Sequence, residues 1–96
     1  MLLKIGVNFD PHEDLLEALD ITQIECNNLG VIFIITSMRD REHSSGSKHY
    51  VGKAFDMRIK HMEENERTIL FTLLKERLER KYDVLRYDTH IHIEVK

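Results

Sequence analysis

Lys53-Ala54-Phe55-Asp56-Met57-Arg58-Ile59-Lys60 alternates throughout, with Phe55, Met57 and Ile59 on one side and Ala54, Asp56 and Arg58 on the other. A period of two predicts a strand that turns one face to a core and the other outward. The last residues repeat the pattern, Ile91, Ile93 and Val95 standing opposite His90, His92 and Glu94. Two such strands in a short chain predict a sheet covered on one face only, which is typical of antiparallel pairing.

The flanking sequence supplies the cover. LLKIGV (2–7) reads as a first short strand. Asp10-Pro11 followed by Glu13 has the form of a helix start, with an Asp cap, Pro at the first helical position and Glu set for a capping box. Leu15, Leu16, Leu19 and Cys26 then recur at helical spacing up to Leu29-Gly30, so a first helix is expected over 11–28, ended by a left-handed glycine. VIFIITS (31–37) is apolar and β-branched, the composition of a central, most buried strand. A second, amphipathic helix is expected over 63–80, with Ile69, Leu70, Leu73, Leu74 and Leu78 turned to the core. The tail YDVLRYDTHIHIEVK predicts two strands that turn near Tyr87 to Thr89. Between Met38 and Val51 lies a polar, Ser- and Gly-containing segment without periodicity, a long loop of the kind that carries function. The order predicts an α+β fold: one domain over 1–96, a small, mostly antiparallel sheet, both helices on one face, and the other face left for a site.

Composition excludes several function classes. With 14 basic and 17 acidic side chains the formal charge is −3, too little positive field to hold nucleic acid. No apolar run approaches the roughly 20 residues of a membrane span, and MLLKIGV is too short for the core of a signal peptide. Synthesis in the cytoplasm and a monomeric state are the expectations. Cys26 is the single cysteine, so neither an internal disulfide nor a thiolate zinc knuckle can form.

Six histidines are many for 96 residues, and four of them fall within 43–49 and 90–92. Ser47-Lys48-His49-Tyr50-Val51-Gly52-Lys53-Ala54-Phe55-Asp56 has the form S-x-H-x-x-G-x-A-x-D. His49 offers an imidazole nitrogen and Asp56 a carboxylate oxygen, Gly52 permits the turn that brings the two together, and Ala54 leaves room beside Asp56. His92, on the polar side of the last strand, supplies a third donor. Three protein ligands leave one position of a tetrahedral zinc open, the catalytic arrangement.

These residues resemble the zinc D-alanyl-D-alanine carboxypeptidases and dipeptidases and the phage endolysins that cut the L-alanyl-D-glutamate bond of peptidoglycan; the Hedgehog signalling domain shares their fold. The likeness covers Ile35 to Ile59 and the last strand, including Thr36-Ser37-Met38-Arg39 and His90-Ile91-His92-Ile93. It implies Zn²⁺ on His49, Asp56 and His92, with Arg39 facing the carbonyl or carboxylate of a peptidoglycan peptide and Ser47 preceding the first ligand. In one departure, Thr89 stands where the family has an acid three residues before the last ligand. Asp88, one residue further back, is the expected general base, on the same strand face as His90, His92 and Glu94. His90 is expected just behind the ligands, and Glu94 as an exposed, solubilising residue.

The leading expectation is a zinc peptidase acting on peptidoglycan stem peptides, as a phage lysis enzyme on the cell wall or as a cytoplasmic dipeptidase. A zinc-binding interaction module without activity is the alternative. A non-haem iron oxygenase shares the two-His, one-carboxylate set but needs a double-stranded barrel, for which the chain is too short.

Overall fold

The strand carrying Asp56 and the strand carrying His92 are hydrogen-bonded neighbours. The computed structural model describes residues 1–38 and 52–96. Among these, the elements run β1 (Leu2–Leu3), α1 (Leu16–Leu29), β2 (Ile34–Ser37), β3 (Ala54–Arg58), α2 (Glu64–Leu78), β4 (Tyr82–Arg86) and β5 (His90–Val95), with a 3-10 turn at Glu13–Leu15. They form a five-stranded sheet in the order β1-β2-β3-β5-β4. β1 joins β2 in parallel and the remaining pairings are antiparallel, so the sheet is mixed.

The alternation in β3 and β5 sorts residues as their sequence requires. Phe55, Met57, Ile91 and Ile93 are buried together with Ile35, Tyr82 and Val84 from the other strands. The same cluster takes Leu15, Ala18, Leu19 and Cys26 from the first helical segment and Leu70, Leu74 and Leu78 from α2. Each large apolar side chain so buried contributes about 1.5–3 kcal/mol. Both helices therefore cover one face of the sheet, and an ion pair between Glu25 and Arg77 (3.0 Å) joins them. Leu16 and Ile69, expected in the core, are 49% and 45% exposed, because each sits at the margin of its helix's apolar stripe.

Two expectations about elements are corrected. The segment 31–37 lies inside the sheet, with β2 paired to β1 and β3, but it is not wholly buried: Phe33 and Ile35 point inward at 1% and 0% exposure, while Ile32 is 55% exposed. Its neighbour β1 is only two residues long, and the helices cover a single face, so a uniformly apolar strand has one side open. The first helix also starts late. His12, not Asp10, caps the turn, its Nδ1 accepting the Asp14 N–H at 3.1 Å. The chain at Asp10–His12 is occupied elsewhere, since the His12 N–H donates to the Gly52 carbonyl at 2.8 Å. The predicted end is as expected, with Gly30 at φ +70° and its N–H on the Asn27 carbonyl.

The connection from β3 to α2 is fixed by one side chain. Arg67 donates Nε to the carbonyls of Ile59 and Met62, both at 3.0 Å, and a terminal nitrogen to that of Lys60 at 3.2 Å. The start of α2 is closed by the Glu66 carboxylate, which accepts the Glu63 N–H at 2.8 Å.

Candidate metal centre

Asp56 and His92 are register partners across β3 and β5, on the face turned away from the helices. His92 Nδ1 and Asp56 Oδ1 are 2.7 Å apart. Two residues along β5, a strand period places Glu94 beside the same ring, with Oε1 2.7 Å from His92 Nε2. The three side chains are only 15%, 19% and 27% exposed for His92, Asp56 and Glu94. The hydrogen bond from Asp56 raises the His92 pKa above its ordinary value, and Glu94 adds to the effect against the opposing cost of burial.

The entry to β3 is set by Gly52. Its φ of +75° lies in the left-handed region, and a Cβ there would run into the Asp10 carbonyl oxygen. The glycine between His49 and Asp56 is therefore required twice, for its turn and for the close crossing of the N-terminal segment. Ala54 is fully buried, consistent with the small side chain the motif demands beside Asp56.

The residues at hand fit a zinc ion. Imidazole nitrogen and carboxylate oxygen are both zinc donors, and neighbouring ligands of one tetrahedral zinc stand about 3.3 Å apart. A small rotation of either side chain opens the 2.7 Å contact that far. Among the described residues no three of His, Cys, Asp and Glu converge on one point. Asp56 and Glu94 contact opposite edges of the His92 ring, so a single ion cannot touch both carboxylates and the ring. His49, the remaining ligand expected from the motif, lies outside the described residues, as do Arg39 and Ser47.

The other expected site residues lie around this pair. Asp88 is exposed in the turn before β5, off the strand that carries His92. Glu94 is the carboxylate in contact with His92, and period-two alternation was the signal for it. His90 lines the cleft beside Asp56, its ring stacked on Tyr87 (centroids 4.8 Å apart) and its Nδ1 2.9 Å from the Thr89 hydroxyl.

A cleft of about 250 Å³ opens beside the pair, lined by Lys4, Thr36, Asp56, Arg58, Lys60 and His90 among others. Two wider depressions, of about 380 and 540 Å³, run along Glu17, Arg80, Lys81 and Tyr82 and have no imidazole. Comparison with protein-family models, with curated proteins and with solved structures finds no match.

Proposed function

We propose that this chain is a zinc metallopeptidase that hydrolyses peptide bonds in peptidoglycan stem peptides, of the D-alanyl-D-alanine carboxypeptidase or L-alanyl-D-glutamate endopeptidase type. The observation that carries the reading is the Asp56–His92 contact at 2.7 Å on the open face of the sheet, downstream of the S-x-H-x-x-G-x-A-x-D motif.

His49, Asp56 and His92 hold the metal. When bound, zinc contributes a Lewis acid that polarises the scissile carbonyl and acidifies a water. With zinc bound, Glu94 would accept the Nε2–H of His92 and so leave Nδ1, the nitrogen nearer Asp56, free to ligate. Arg39 meets the substrate's carbonyl or carboxylate with a planar fork, and Ser47 leads into the first ligand.

A second reading, a zinc-binding interaction module without activity, is favoured by one observation. Among the described residues no carboxylate stands ready to take a water's proton beside Asp56, since Glu94 is engaged with His92 and Asp88 is out in the turn. Zinc content of the purified protein, together with digestion of peptidoglycan read by mass, separates the two. Bound zinc with new peptide termini supports the peptidase, bound zinc with intact peptides supports the module, and absence of zinc binding removes both.

A further inference from the structure

We propose that the cleft beside Asp56 is an anion subsite, built by Lys4, Arg58 and Lys60, that takes a side-chain carboxylate of the peptide substrate. The identity of the substrate rests on the peptidase reading above; the site itself rests on its charge and its place.

Three cations line this cleft. Lys4 follows β1, Arg58 closes β3, and Lys60 lies two residues further on. Five of the described cations are matched with acids, Lys53 with Asp14, Arg67 with Glu64, Arg77 with Glu25, Lys81 with Glu17 and Arg86 with Glu64, and Lys75, Arg80 and Lys96 stand apart from this cleft. Lys4, Arg58 and Lys60 have no ion pair among the described residues. The cleft's one carboxylate, Asp56, is engaged with His92. In a chain of net charge −3 this is a local positive field on the rim of the candidate centre.

The backbone that carries the cations is fixed. The Lys4 N–H donates to the Ile35 carbonyl at 2.9 Å, the Ile59 N–H to the Thr89 carbonyl at 3.0 Å, and the Lys60 carbonyl accepts from Arg67 at 3.2 Å. Thr36 and Thr89 add hydroxyl groups to the lining.

Size and place select the ligand. At about 250 Å³ the cleft is below the usual volume for a whole small molecule, so it suits one part of a longer ligand whose remainder lies over Asp56 and His92. A peptide bound across the centre brings carboxylates to that rim, and a guanidinium with two ammonium groups is a strong match for one.

The test uses the zinc-loaded full chain and two stem peptides that differ only in whether the D-glutamate carboxylate is free or amidated. The wild type is expected to favour the free acid by about tenfold in KM, the worth of one charge-assisted contact. That preference should fall towards unity in the double variant Arg58→Ala with Lys60→Ala, and favour the amide in Arg58→Glu with Lys60→Glu. Amide-resonance shifts at Thr36, Thr89 and His90 during titration give the same comparison without turnover. If neither peptide is cleaved but only the acid moves these resonances, the subsite stands and the peptidase reading falls. Equal response to both peptides, or a preference that survives the double variant, overturns the subsite. Inorganic phosphate moving the same resonances more strongly than the acid peptide overturns the carboxylate assignment.

Discussion

Asp56 Oδ1 and His92 Nδ1 meet at 2.7 Å because β3 and β5 place the two residues directly opposite one another. The contact is local in space but spans 36 residues of sequence, so it forms only when the sheet does.

One zinc per chain is expected, lost on removal of any proposed ligand. His49→Ala and His92→Ala should each weaken zinc binding by at least about a hundredfold, while the helical content measured by circular dichroism stays the same. Elemental analysis after dialysis decides it, and full zinc occupancy in either variant contradicts the ligand set.

Glu94→Gln and Asp88→Asn test which carboxylate orients the His92 ring. With Glu94 fixing the His92 tautomer, Glu94→Gln is expected to lower zinc affinity by about 10- to 100-fold. Asp88→Asn should leave zinc affinity unchanged, since Asp88 lies in the turn outside β5. Competition with a chromogenic chelator gives both values. An unaffected Glu94→Gln variant ends the orienting role.

The metal-free protein should be more stable in mild acid than in mild alkali. His92 has a raised pKa from Asp56 first and Glu94 second, so its protonated form is favoured by folding. That contribution is complete below the unfolded value of 6.5 and is lost as pH rises through the higher folded value. Urea midpoints of chelator-treated protein between about pH 6 and pH 8 are expected to fall, and the same series in His92→Gln to be flatter. Zinc needs the ring neutral, so its affinity should change in the opposite direction.

Gly52→Ala should cost about 1–3 kcal/mol, since the residue sits at φ +75° and a methyl group there meets the Asp10 carbonyl. Chemical denaturation measures the loss. A neutral substitution would mean that the N-terminal segment moves aside without cost.

Arg39→Ala is expected to lower turnover of a stem peptide by about a hundredfold or more with zinc content unchanged, the usual cost of losing one donor to developing charge. Near-normal activity takes Arg39 out of the site.

Strand faces were the most legible part of this sequence. Alternation over 53–60 and 90–95 identified the inward Phe55, Met57, Ile91 and Ile93, and the same rule put Asp56 and His92 outward. It also puts Glu94 beside His92, although an acid on an outward strand face has so ordinary an explanation in solubility that spacing alone does not single it out. Other features were invisible for physical reasons. VIFIITS has its polar residues, Thr36 and Ser37, only at its end, so nothing in Val31 to Ile35 marks the open side. The Asp10 cap lost to a backbone bond between His12 and Gly52, about forty residues apart. Arg67 gathers three carbonyls that come together only after the end of β3 has turned into α2. Burial does follow from the sequence at Cys26, whose thiol is pushed up to about 12, mainly by burial, and so is inert as a nucleophile.

The pairing of β3 with β5 sets Ala54 against Glu94, Asp56 against His92 and Arg58 against His90. Side chains change sides at every residue, so moving either strand by a single position sends the outward set into the core and brings isoleucines to the surface. The imidazole–carboxylate geometry thus has no half-formed version reachable by sliding. A one-residue insertion in the turn at Tyr87–Thr89 would not loosen the centre by degrees; it would either be absorbed as a bulge or dismantle core and centre together. The length of that turn is therefore tied to the side-chain geometry the two strands share.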